Sequence, residues 1–146
     1  MDNIKRYRIT PHHSELAVKV FGSSQLELFQ NSGWALFDLT TDIEKIETKD
    51  CVPLEVEGTD RDDLLVNWVR ELLYLYQGSG YLLKEFRISE LGDKLVKAEA
   101  CGEKIDPDRH EIKKEVVAIA YDKSRMVKTG DQWTAQWPNA RPKEEA

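Results

Sequence analysis

The chain has little cysteine and no long hydrophobic run. Its two cysteines, Cys51 and Cys101, lie far apart and lack the close spacing of a zinc site. The spacing does not decide whether they form a disulfide, and we expect two buried or half-buried thiols in strands. The longest apolar run, 116–121, is far shorter than the roughly 20 residues that span a bilayer, and residues 1–8 have no signal-peptide core. We therefore expect no membrane association and a cytoplasmic location.

Basic residues are also in short supply. Lysine and arginine total 21 against 27 aspartate and glutamate residues, which gives a formal net charge of −6. Nucleic acids bind mainly to clustered cations, which release the counterions of the phosphate backbone. The nearest approach to such a cluster is 109–114. The sequence therefore predicts no tight direct binding of nucleic acid.

No general catalytic motif occurs in the chain. It has no glycine-rich phosphate-binding loop, no nucleophile elbow and no paired-cysteine zinc motif. These motifs position a phosphate, a nucleophile or a metal ion for reaction. Without them the residues give no support for an independent enzyme, and we expect a protein that is not itself catalytic.

What is present indicates one globular domain. The chain has 146 residues, of which 40% are hydrophobic and 33% charged, and this suits a folded domain with a single core. A helix is predicted over 24–39, where Ser24 and Glu27 form a capping box. A second helix begins after Thr59 and carries the strongest apolar stripe of the chain.

In the remaining segments, apolar and polar residues alternate or strand-forming residues are frequent. Strands are predicted at 7–10, 15–21, 52–56, 81–88, 94–101, 115–121, 125–128 and 132–137. The predicted fold class is α+β, with two amphipathic helices packed on a largely antiparallel sheet or pair of sheets. We expect this domain to occupy 1–137 and the tail 138–146 to be disordered.

Two polar segments are candidates for function. His12, His13 and Glu15 fall within four residues and could hold a divalent cation, although the spacing alone favours ordinary exposed side chains. The loop 102–110 is long and polar, as binding loops on a rigid scaffold are. A plain solvated connection is an equally good interpretation of that loop.

Three segments, in the order in which they occur, resemble the signature segments of the archease family. They are 35–42 (ALFDLTTD), 63–75 (DLLVNWVRELLYL) and 102–116 (GEKIDPDRHEIKKEV), and the likeness extends from about residue 7 to residue 137. The resemblance implies an accessory protein of the RtcB-type RNA ligase, which joins RNA ends in tRNA splicing or RNA repair with GTP and a divalent metal.

An archease promotes guanylylation of that ligase and its multiple turnover without joining RNA itself. GTP would therefore concern this chain only by way of the ligase. The matching loop residues that the resemblance implies for partner binding are Asp106, Arg109, His110 and Glu115.

The likeness is weaker at the family's metal site, which pairs the aspartate of a his-thr-ala-asp motif with one near the carboxyl terminus. Here His12 matches, Glu15 replaces the first aspartate and Ala140 stands at the second acidic position. Val117 stands where the family has a lysine implicated in ligase activation. The ligands implied for calcium, magnesium or manganese are Glu15, His12 and Asp42, in a weak or absent site. The alternative is a chaperone-like or scaffolding protein that keeps the fold without metal-dependent activation.

Overall fold

The structure, a computed structural model, describes residues 6–12, 15–120, 125–137 and 140–142, and of residues 11 and 12 it describes the backbone only. Its elements follow in chain order: β1 (Tyr7–His12), β2 (Glu15–Gly22), α1 (Gln25–Thr40), a short 3-10 helix (Ile43–Lys45), β3 (Asp50–Glu57), α2 (Arg61–Ser79), β4 (Tyr81–Leu91), β5 (Leu95–Lys104), β6 (Val116–Ile119), β7 (Met126–Thr129), β8 (Gln132–Gln136) and β9 (Ala140–Pro142).

Two antiparallel sheets enclose the two helices, which confirms the α+β prediction. The larger sheet has the order β6-β9-β2-β8-β7, with β1 on the other edge of β2, and the smaller has the order β3-β5-β4. Helix α1 contacts both β2 and β4, while α2 contacts β6 and β3. Alternation along β2 buries Leu16, Val18 and Val20, and each such side chain contributes about 1.5–3 kcal/mol.

Helix α1 begins at the predicted cap and packs closely on β4. The hydroxyl of Ser24 accepts the amide of Glu27 at 3.1 Å, and the Glu27 carboxylate accepts the amide of Ser23 at 2.8 Å. A Cβ on Gly33 would lie 2.8 Å from the ring of Phe86. The absence of a side chain at this position therefore allows the helix to approach the strand.

Helix α2 is capped by Asp60 and not by the predicted Thr59, and its first residue is Arg61. The Asp60 carboxylate accepts the amide of Asp63 at 2.8 Å, which is the usual N-cap bond. The predicted apolar stripe is buried, and its largest member, Trp68, donates its indole N–H to the carbonyl of Phe29 at 2.8 Å.

The two cysteines form a disulfide, which corrects the expectation of two free thiols. Cys51 in β3 and Cys101 in β5 are direct cross-strand partners, with Cα atoms 4.0 Å apart. Cys101 is buried, whereas Cys51 is exposed. Because the strand register brings together residues fifty positions apart, their spacing along the chain does not reveal this pairing.

The carboxyl-terminal region contains a strand where the sequence predicted a disordered tail. Ala140–Pro142 form β9, which pairs with β6 and, at Ala140, with Leu16 of β2. The rest of the expected tail, 138–139 and 143–146, lies outside the described residues. In the described ranges no helix is long and apolar enough to cross a membrane.

Candidate functional site

A buried carboxylate organises the loop between β5 and β6. Glu103, near the end of β5, is only 3% exposed. Its carboxylate contacts His110 Nε2 at 3.0 Å and accepts the backbone amide of Glu47 at 2.8 Å. The guanidinium of Arg109 donates to its other oxygen. Three residues from two parts of the chain are thus tied to one side chain.

The hydrogen bonds assign the tautomer of His110. The backbone amide of Asp106 donates to His110 Nδ1 at 2.9 Å, so Nδ1 must be the unprotonated nitrogen. The proton therefore resides on Nε2, from which it is donated to Glu103. A neutral imidazole satisfies both bonds, and the ring is fully buried with each nitrogen paired.

The carboxylate of Glu103 is stabilised in its charged form. Burial by itself would raise its pKa. The hydrogen bonds from the Glu47 amide and from His110, together with the positive charge of Arg109, outweigh burial and hold the pKa below its ordinary value. Glu103 is consequently ionised at neutral pH in a place where an unpaired charge would be costly.

The far half of the loop is fixed to the end of α1. The Thr41 hydroxyl donates to the carbonyl of Glu111 at 2.6 Å, and the amide of Lys113 donates to the carbonyl of Thr40 at 2.7 Å. Thr41 also forms an isolated antiparallel bridge with Ile112. The loop is therefore fixed to the folded scaffold, which corrects the interpretation as a plain solvated connection. The interpretation as a binding loop stays a prediction.

The four predicted partner-binding residues have different positions. His110 is buried, so its side chain does not reach the surface, and its predicted role in partner binding stays a prediction. The side chains of Arg109 and Asp106 are 37% and 46% exposed and lie 3.6 Å apart. Glu115 accepts the hydroxyl of Tyr76 at 3.4 Å; burial first, and then the Glu115 carboxylate, raise the pKa of Tyr76 to about 12.

The predicted metal ligands are not gathered into a described cluster. Asp42 caps the 3-10 helix, where it accepts the amide of Glu44 at 3.2 Å. Ala140 pairs with Leu16 and is fully buried on the core face of the larger sheet. Because neighbouring strand residues point to opposite faces, Glu15 lies on the other face from Ala140. Among the described side chains, no three His, Cys, Asp or Glu residues are grouped to hold a metal ion.

The donor set does not fit a site for a hard cation. Calcium and magnesium require several oxygen ligands, usually including more than one carboxylate. Glu15 supplies one carboxylate, and the methyl group of Ala140 supplies none. The backbone of His12 is the cross-strand neighbour of Glu15, and its side chain lies outside the described part.

Comparison with known proteins identifies the family. Residues 7–137 match the Archease protein family (MTH1598/TM1083). The chain is 38% identical to the protein archease of Pyrococcus abyssi over 138 residues, covering 91% of this chain and 96% of that protein. It is 36% identical to the protein archease of Thermococcus gammatolerans, with 92% and 97% covered. The chain therefore belongs to the archease family, as the sequence resemblance indicated.

Solved structures support the same fold. The solution structure of protein 1598 from Methanobacterium thermoautotrophicum matches with a TM-score of 0.75 at 25% identity, covering 90% of this chain and 96% of that one. An archease from Thermotoga maritima, described as a possible chaperone, matches with a TM-score of 0.56 at 16% identity, with 96% and 99% covered. This second likeness concerns the fold alone.

Proposed function

We propose that this chain is a cytoplasmic accessory protein that activates an RtcB-type RNA ligase and supports its multiple turnover in tRNA splicing or RNA repair. The observation that carries the proposal is membership of the archease family across residues 7–137. GTP takes part only by way of the ligase, and the accessory protein has no catalytic residue of its own.

The loop between β5 and β6 supplies a suitable contact surface for the ligase. Its buried Glu103–His110 bond fixes the backbone on which Arg109 and Asp106 are partly exposed. Glu47 and Lys49, whose side chains are each 59% exposed, form an ion pair of 3.3 Å beside the same carboxylate. A rigid surface that presents charges of both signs loses little conformational entropy on binding.

The expected result of a ligation assay follows from this role. Nicked RNA, GTP, manganese and a limiting amount of ligase are incubated with and without the protein. We expect more than one product per ligase only when the protein is present, and no product when the ligase is omitted. Equal yields with and without the protein, each below one turnover, would contradict the proposed function.

Arg109→Gln tests whether the loop surface contacts the ligase. The substitution removes a partly exposed charge that also pairs with the buried Glu103, so it should lower the melting temperature as well as weaken association with the ligase. Association is therefore compared at a temperature at which both variants are folded. Lys97→Gln on the small sheet is a matched control, because it removes one exposed positive charge far along β5. If the two variants bind the ligase equally well, the loop is not part of the surface that contacts the ligase.

A chaperone-like or scaffolding function is the second candidate. The description of the Thermotoga maritima archease as a possible chaperone favours it. Light scattering of a heated ligase distinguishes the two functions. A chaperone suppresses aggregation without raising the turnover of native ligase, whereas an activator raises turnover of ligase that is already folded.

Metal binding is expected to be weak. Losing one of two anionic ligands should weaken a site more than changes around the ligands, which alone cost about 10–100-fold. We expect affinities of roughly millimolar or weaker for calcium and magnesium, and any manganese or zinc binding should depend on His12. Titration calorimetry of the wild type measures the affinities, and the same titration of His12→Ala measures their dependence on His12.

The control for the metal titration is Glu15→Gln, which removes the remaining carboxylate while keeping its shape. Tight calcium binding by the wild type that Glu15→Gln abolishes would show that an acidic partner completes the site. Weak binding that is the same in both variants would instead agree with the expectation.

A further inference from the structure

The face of the larger sheet that points away from the helices carries a row of basic and amide side chains. Arg8 of β1 pairs with Lys19 of β2, and Lys19 pairs with Gln136 of β8. Arg125 immediately precedes β7 and falls opposite Gln136 when the β7–β8 register is continued by one residue. We call these four residues the basic row. At about 4.8 Å per strand the row is about 14 Å long.

Two cations in this row face each other with no acidic partner among the residues that the structure describes. Like charges directly opposite in an antiparallel pair are destabilising. No described ion pair joins Arg8 or Lys19 to a carboxylate. On this face Glu15 is two cross-strand rows away from Lys19 along β2. An anion bound across the pair would relieve the repulsion.

An aromatic ring lies beside the two cations. The Arg8 guanidinium is 6.0 Å and the Lys19 ammonium 5.9 Å from the centre of the Phe21 ring. Phe21 is half-buried, and its cross-strand neighbour Thr134 pairs in turn with Val127, which is 43% exposed. The sheet therefore presents a ring, a hydroxyl and an apolar side chain parallel to the basic row.

We propose that this face binds single-stranded nucleic acid, with phosphates on the basic row and a base stacked on Phe21. Cations that follow a backbone, placed next to an aromatic side chain on an open sheet, are the general means by which proteins hold single strands. The ring favours a nucleic acid over an acidic protein surface, because a carboxylate gains nothing from stacking. With a protein of net charge −6, the binding is weak and sensitive to salt.

The test is fluorescence anisotropy of a labelled single-stranded RNA of about twelve nucleotides. Three phosphate contacts predict that affinity falls about 20-fold between about 50 and 200 mM salt. The double variant Arg8→Gln, Lys19→Gln should bind at least about tenfold more weakly at low salt and lose most of this salt dependence. Phe21→Leu should weaken binding about fivefold or more through lost stacking, with the salt dependence unchanged.

The matched control is Lys94→Gln, Lys97→Gln, which makes the same change in net charge at exposed positions near the small sheet. Its affinity should stay within about twofold of the wild type, and thermal melting checks that each variant is folded. Absence of binding at low salt, or equal losses in the two double variants, would overturn the proposal. So would displacement of the RNA by a poly-glutamate peptide of equal charge, which would indicate an acidic protein partner.

Discussion

Replacing His110 with alanine is expected to lower the free energy of unfolding by about 3 kcal/mol, although the residue lies in a polar loop. The substitution removes the Nε2–H donor of a buried carboxylate and the Nδ1 acceptor of the Asp106 amide. Leaving a buried polar group without its partner costs about 1–3 kcal/mol, and more when the group is charged. Urea unfolding followed by circular dichroism measures the change.

His110→Gln is the control, because one amide group can both donate to Glu103 and accept from Asp106. It should recover part of the lost stability, whereas a loop that tolerates any residue would give the same free energy of unfolding for both variants. An unchanged melting temperature in His110→Ala would show that the Glu103–His110 bond does not stabilise the fold. It would favour contact with a partner as the role of the His110 side chain.

The loss caused by His110→Ala should also depend on pH. The pKa of Glu103 in the folded protein is depressed, so its stabilising effect is complete above its ordinary value of 4.5 and is lost as pH falls through the folded pKa. Once Glu103 is protonated, it no longer needs compensation for a buried charge. The stability difference between wild type and His110→Ala should therefore narrow at acid pH.

Local patterns in the sequence were sufficient for the helices and most strands. The capping box at Ser24 and the apolar stripe around Trp68 depend on residues within a few turns of one another, and both are confirmed. The cap of α2 was displaced by one residue, because Thr59 and Asp60 are both capable caps and geometry decides between them. The periodicity of apolar residues indicates which face of a helix is buried, and it does not decide which residue caps the helix.

Pairings set by strand register could not be obtained in this way. Cys51 pairs with Cys101 because the register of β3 and β5 places them opposite each other, and no local sequence pattern predicts that register. The same holds for Glu103, whose partners include the amide of Glu47 on a separate segment. The family resemblance marked the loop residues as important, whereas only the geometry shows that His110 acts from inside the protein.

Gly102→Ala should be the most damaging of the glycine-to-alanine substitutions, because its added Cβ makes the shortest contact. A Cβ at this position would lie 1.9 Å from the carbonyl oxygen of Leu82 and 2.8 Å from the Cα of Leu83. Both atoms belong to the backbone of β4, which cannot rotate away as a side chain could. Strands β4 and β5 would have to separate beside the disulfide at Cys101 and the buried Glu103, so we expect a loss of about 4 kcal/mol or more.

Gly78→Ala is the matched control for this steric argument. Gly78 lies in the last turn of α2, and a Cβ there would meet no atom within 4 Å. Alanine is the better helix former by about 1 kcal/mol, so this variant should melt at a higher temperature than the wild type. Opposite shifts in the melting temperatures of the two variants are expected by calorimetry. A Gly102→Ala protein as stable as the wild type would contradict the steric argument.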